Sequence, residues 1–297
     1  MYAQQNTLLT HYMFTNMAYN PGYAGSSEGI CATGLFREQW IGFKADTLST
    51  SPPQTFLFTI DSPLKFLHGG ISASIYQDNI TQINTTNVKI GYAYKAEIGN
   101  GNFGAGLQVE FVNTKIDLSS SNWNPSEPGD PVLKEGSKVS DFVIDFSLGL
   151  FYKIPEKYYI GMSADNILQT KGPQTHYQLR RQYYLTGGYY YVLPGHPAFE
   201  LQPSALIEYD GAVVQFSLGA LVEYNKKIWG GLEYRFQDAV AILAGMNFKS
   251  FRVGISYDIA TSSITRYSYG GVEVMLNYCF KLKTEKFRKS YKNTRFL

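Results

Sequence analysis

Apolar and polar positions alternate along most of this chain. Between 212 and 224, Val214, Phe216, Leu218, Ala220, Val222 and Tyr224 share one phase, while Gln215, Ser217, Gly219 and Glu223 share the other. A period of two sends successive side chains to opposite faces of a strand. With one apolar face over roughly ten residues, such a strand can cross a bilayer, lipid on one side and a polar interior on the other. The phase recurs elsewhere. Leu107, Val109 and Phe111 oppose Gln108 and Glu110; Ile144, Phe146, Leu148 and Leu150 oppose Asp145, Ser147 and Gly149. Val253, Ile255 and Tyr257 oppose Arg252, Gly254 and Asp258; Val272, Val274, Leu276, Tyr278 and Phe280 oppose Glu273, Asn277 and Cys279.

The pattern predicts strands at 30–44, 53–61, 69–78, 87–97, 102–116, 140–153, 157–165, 177–192, 198–208, 212–224, 228–236, 239–248, 250–259 and 269–281. An open sheet edge has no partner in hydrocarbon, so closure is required. The expected fold is all-β: a closed antiparallel transmembrane β-barrel of about 14 strands spanning 30–281. A soluble sandwich would alternate too, but would need a second sheet over each apolar face. Connections 45–52, 79–86, 117–139, 166–176 and 260–268 are long and polar, whereas those at Asn100-Gly101, Pro155, Gly195, Lys226 and Lys249 are tight. Long loops outside and short turns inside are the asymmetry of an outer-membrane barrel, and they place both termini in the periplasm. Tyr209-Asp210-Gly211 and Gln237-Asp238 are short exceptions.

The inward phase carries Arg37, Lys89, Glu110, Asp145, Glu223, Glu233, Arg235, Arg252, Asp258 and Glu273. Mixed signs point to a lumen held by ion pairs or meeting an internal plug, rather than to an ion-selective pore. Residues 1–29 do not alternate. They run apolar from Leu8 to Phe14 and end in the turn-rich Asn20-Pro21-Gly22-Tyr23-Ala24-Gly25, which suits a plug or cap at the lumen.

Composition agrees: 17% of residues are charged, against roughly 25% in an average soluble domain. No run approaches the ~18 apolar residues of a membrane helix. Met1-Tyr2-Ala3-Gln4-Gln5 holds no apolar signal core, and reads as the trimmed remainder of a signal peptide already removed. Residues 281–297 hold seven Lys or Arg against one Glu, net +6, so the rest of the chain sums to −4. This basic tail, 282–297, can meet an anionic surface or an acidic protein; nucleic acid is disfavoured outside the cytoplasm. Cys31 and Cys279 have neither metal nor CxxC spacing. They fall on the inward phase of the first and last strands, where a seam disulfide and two free thiols are both open. His11, His68, His176 and His196 are scattered outside the strand cores, and no nucleophile has an assignable base, so no catalytic, cofactor or metal site is expected.

Several stretches resemble the PorP/SprF family of outer-membrane proteins in Bacteroidota type IX secretion and gliding motility. Tyr12-Met13-Phe14 and Asn20-Pro21-Gly22-Tyr23-Ala24-Gly25 are similar to its opening motif. Arg37-Glu38-Gln39-Trp40-Ile41-Gly42 is similar to its first-strand signature, and Pro53-Gln54-Thr55 to the proline-x-threonine beyond that strand. Glu273–Phe280 resembles the closing strand, and Arg295-Phe296-Leu297 the final tripeptide. Gly22 and Thr294 depart from the family pattern, and the gap from Gly42 to Pro53 is long. The resemblance implies a non-enzymatic accessory in the export or surface anchoring of cargo such as type-B adhesins, with secretion components and a periplasmic ring as partners. From the residues themselves, the basic tail suits a periplasmic or peptidoglycan-linked partner, with Arg295, Phe296 and Leu297 as its anchor. The alternative is a porin or FadL-like solute transporter.

Overall fold

A computed structural model describes residues 8–27, 29–42, 52–117, 138–262 and 268–281. The alternating stretches form β1 (Gly29–Glu38), β2 (Gln54–Leu64), β3 (Gly69–Ile80), β4 (Ile83–Ile98), β5 (Gly101–Asp117), β6 (Lys138–Ile154), β7 (Tyr158–Asp165) and β8 (Gln182–Tyr189). The two-residue β9 (Tyr191–Val192) is followed by β10 (Phe199–Tyr209), β11 (Val214–Tyr224), β12 (Ile228–Arg235), β13 (Ala239–Phe248), β14 (Phe251–Ala260) and β15 (Gly271–Lys281). All pairings are antiparallel. Each strand joins its neighbour in sequence, β10 bonds both β8 and β11, and β15 bonds β1. Fourteen strands therefore close a barrel. The extra strand, β9, continues β8 in one register along β10, with Gly188 opposite Ser204 and Tyr191 opposite Leu201.

The phases fall as the alternation requires. Phe216, Leu218, Val253, Ile255, Val274 and Leu276 are exposed outward, whereas Glu110, Asp145, Glu233 and Glu273 are buried inward. Tyr183 stacks beside Tyr209 at one end of the apolar band, and Phe199 beside Tyr224 at the other. The ten-residue rise from Phe199 to Tyr209, at ~3.4 Å per residue and about 40° of tilt, gives a band of about 26 Å. That matches the roughly 25 Å of an outer-membrane barrel. No helix of the described residues is long and apolar enough to cross a membrane.

The largest departures from the expected strand boundaries fall at three places. β1 stops at Glu38 instead of 44, because Trp40 and Gly42 take positive φ (55° and 76°) and turn the chain. Gln39, Trp40 and Gly42 therefore lie beyond the strand, and Ile41 exchanges backbone hydrogen bonds with Tyr269 and Gly270. The connection expected at 79–86 is a two-residue turn, Thr81-Gln82, because β3 and β4 keep pairing up to Ile80 and Ile83. β8 begins at Gln182 instead of 177, since Asp141 and Asp145 capture the preceding segment through its backbone amides. Most of the expected long connections 45–52, 117–139 and 260–268, and the tail 282–297 with Arg295, Phe296 and Leu297, lie outside the described residues.

Candidate functional site: the lumen and its N-terminal segment

Residues 8–27 lie inside the barrel, and cross-strand register orders the levels they meet. From the rim where β1 ends to the rim where it begins, the inward pairs of β1 and β15 are Arg37–Glu273, Leu35–Met275, Thr33–Asn277 and Cys31–Cys279.

At the first level the segment meets charge. Arg37 bridges Asp258 (2.6 Å) and Glu273 (3.1 Å), and Arg235 bridges Asp258 (3.5 Å), Glu233 (3.4 Å) and Asp238 (2.9 Å). Thr10 and His11 complete this network. Their backbone amides donate to the Glu273 carboxylate (2.9 and 2.8 Å), and His11 Nδ1 lies 2.6 Å from it. Thr10 Oγ1 donates to Asp258 and accepts from Arg37 and Arg235. Asp238 apart, these groups are almost wholly shielded, so their satisfaction depends on one another.

The next level is apolar. Leu9, Tyr12, Met13 and Tyr19 pack against inward-facing Leu35, Leu57, Leu206, Leu221, Leu243, Met275, Tyr184 and Trp229. The six aliphatic wall residues are each at most 2% exposed, so the lumen is dry here. The alternation places a polar set on this phase and passes over Leu221 and Met275. Their signal is an unbroken apolar triplet, Ala220-Leu221-Val222 or Val274-Met275-Leu276, inside an otherwise alternating strand. Burial pushes the phenols of Tyr12 and Tyr19 well above their ordinary pKa, which keeps them neutral hydrogen-bonding groups.

Asn20-Pro21-Gly22-Tyr23-Ala24-Gly25 then lies along a wall of glycines. The Asn20 side-chain amide donates to the carbonyls of Leu150 (2.9 Å) and Met162 (3.2 Å), and its oxygen caps the Gly22 amide (2.8 Å). A Cβ on Gly106 would strike Pro21, on Gly149 Asn20, and on Gly70 the backbone of Gly25. Gly25, at φ 70°, takes a turn that side chains resist, and its amide donates to Asp61 (3.0 Å). Lys95 donates to the Gly22 carbonyl (2.7 Å), and Tyr23 packs edge-on against Phe151.

Elsewhere in the lumen Lys89 bridges Asp165 (2.5 Å) and Glu110 (3.4 Å). Asp145 accepts the amides of Leu168 and Thr170, and Asp141 those of Gln174 and Thr175, so 166–181 straps onto the inner face of β6. Cys31 and Cys279 face each other, Cα atoms 4.1 Å apart, and are joined by a disulfide across the seam. Below the segment a cavity of about 560 Å³ opens at the rim where β1 begins. Its walls include Met13, Phe14, Met17, Tyr23, Tyr190 and Arg252, the last lying 4.6 Å over the Phe14 ring. Among the described residues no group of three His, Cys, Asp or Glu side chains could hold a metal ion.

A family model for the type IX secretion system membrane protein PorP/SprF matches residues 1–278. No curated protein matches the chain. Among solved structures, the toluene transporter TbuX of Ralstonia pickettii is similar at TM-score 0.57 and 13% identity, with 90% of this chain and 93% of that one covered. The Pseudomonas putida toluene transporter TodX is similar at 0.54 and 11%, covering 92% and 94%. A Pseudomonas aeruginosa FadL homologue is similar at 0.50 and 11%, covering 88% and 93%. At such identities the likeness is one of fold.

Proposed function

The chain belongs to the PorP/SprF family of type IX secretion system membrane proteins, and from that premise we propose that it is an outer-membrane accessory supporting export or surface anchoring of secreted cargo such as type-B adhesins. The apolar band holds it in outer-membrane lipid. Residues 8–27 act as a plug, so the barrel serves as a binding scaffold instead of a conduit. The observation that carries this reading is the dry apolar level around Leu9, Tyr12 and Met13. A pore for solutes would leave water there. Both termini face the periplasm. The tail 282–297, with Arg295, Phe296 and Leu297 as its anchor, engages a periplasmic ring or peptidoglycan-associated component, and the long loops meet cargo.

The competing solute-transporter reading draws on the shared fold with TbuX and TodX. A pull-down from detergent-solubilised outer membrane separates the two. The full chain should recover type IX components or a large adhesin, and a chain lacking 282–297 should lose the periplasmic partner. A protein recovered alone, and conducting ions in a planar bilayer, would overturn the accessory role.

A further inference from the structure

The disulfide at the seam is not equally open at its two ends. Cys279 is half-buried and lines the 560 Å³ cavity at the rim where β1 begins, whereas Cys31 is only 6% exposed. Register explains the difference. The bond crosses from β15 to β1, so the far flank of Cys279 is β14 and that of Cys31 is β2. Opposite Cys31 on β2 stands Asp61, whose carboxylate accepts the Gly25 amide (3.0 Å) and so brings the N-terminal segment over that flank. Opposite Cys279 stands Ser250, small, neutral and exposed in the turn between β13 and β14, its carbonyl accepting the Cys279 amide (3.0 Å). Next along β14, Arg252 is already matched by Glu223 (3.4 Å). The two flanks therefore differ first in access. Charge acts in the same sense, because a thiolate nearing Cys31 meets a carboxylate and one nearing Cys279 meets a hydroxyl. Exchange requires the thiolate in line with the bond, opposite the leaving sulfur, so access decides which sulfur is taken.

We propose that Cys279 is the exchange sulfur of the seam, attacked by a low-molecular-weight thiol that enters the cavity from the rim. The thiolate bonds to Cys279 Sγ as the bond between the two Sγ atoms breaks. The bonding pair leaves on Cys31, which takes a proton from water. A second thiolate then displaces Cys279 from the mixed disulfide. Two small thiols are thereby oxidised to one disulfide, and the seam is reduced to two cysteine thiols. Run backwards with a small disulfide as oxidant, the same path closes the link, Cys279 attacking first, which is the direction an oxidising compartment favours. Cys31 thus acts as the resolving thiol, shielded until its partner has reacted. This role is independent of secretion, since loss of either leaves the other standing.

The test uses the full chain in phosphatidylcholine nanodiscs. Native protein is exposed briefly to 2-mercaptoethanol, quenched with acid, alkylated with N-ethylmaleimide and mapped by mass spectrometry. The mercaptoethanol adduct should fall on Cys279 and the maleimide on Cys31. The single variants Cys31→Ser and Cys279→Ser each leave one thiol, and 2,2′-dithiodipyridine, an uncharged disulfide, reads its access. Cys279 should react roughly tenfold faster than Cys31 in the folded barrel, and the two should react alike once unfolded in urea. Adding Ser250→Trp to Cys31→Ser, which fills the β14 flank, should slow Cys279 to about the rate of Cys31. Every variant should keep the heat-modifiable gel mobility of a folded barrel. Adducts on Cys31, equal rates in the folded state, indifference to Ser250→Trp, or a native seam that resists the thiol until unfolded would each overturn the proposal.

Discussion

Arg37 and Glu273 face each other across the seam and are also the groups that hold Thr10 and His11. Removing one member of a buried ionic set strands the others, at a cost of about 3–5 kcal/mol. Arg37→Ala should therefore lower the unfolding midpoint in urea and expose residues 8–27 to protease in the otherwise folded barrel; unchanged cleavage would count against this network as the segment's holding point. Gly149→Val acts by sterics, since even a Cβ there meets Asn20. Hydrogen exchange across 20–25 should rise sharply in that variant, with strand amides elsewhere unchanged. Phase in the alternation revealed that Arg37, Asp258 and Glu273 point inward. It could not reveal their partners. Thr10 and His11 sit in a stretch without periodicity, and a contact spanning more than 200 residues leaves no local pattern.

At the scale of elements, strand number and order were legible because a period of two sets lipid against lumen on every strand. Ends were less legible. β1 stops where Trp40 turns to positive φ, and β8 starts late because Asp141 and Asp145 draw 166–181 into the barrel. Neither event changes the hydrophobic pattern. Leu218 lies mid-band on β11, facing lipid, so Leu218→Arg should destabilise the barrel by about 2–4 kcal/mol when unfolded from bilayers. Leu221→Arg is a contrasting case: it would drive a charge into the dry level and should displace the N-terminal segment as well. The seam joins the two strands farthest apart in the chain and is the place where closure must be won. A disulfide there closes a long loop in the unfolded chain, and such bonds contribute typically about 2–4 kcal/mol. Cys31→Ser/Cys279→Ser should unfold at lower urea. The heat-denatured native protein should migrate differently with and without reductant, and the double variant should not.

For the whole molecule, the decisive property is that residues 8–27 pack inside the barrel. In planar bilayers the intact chain should be electrically silent, and a chain lacking residues 1–27 should conduct in steps; persistent silence would mean that the strap and the wall side chains suffice to close the lumen. The barrel architecture and family were readable from alternation and from motifs at both ends. The dry level was less so, because its wall residues look like ordinary strand hydrophobes until their phase is counted.

The seam bond has a topological consequence. From Cys31 to Cys279 the chain is a covalent ring, and the residues just before Cys31 turn back and thread that ring. Parting the strands at the seam would still leave the sulfur link intact near the rim where β1 begins, so the segment stays encircled at that end even when the seam hydrogen bonds are lost. Withdrawal along the axis past that closed end must break the ionic, apolar and glycine-wall contacts, as a cord is drawn through a tied loop, and is not the swing of a gate.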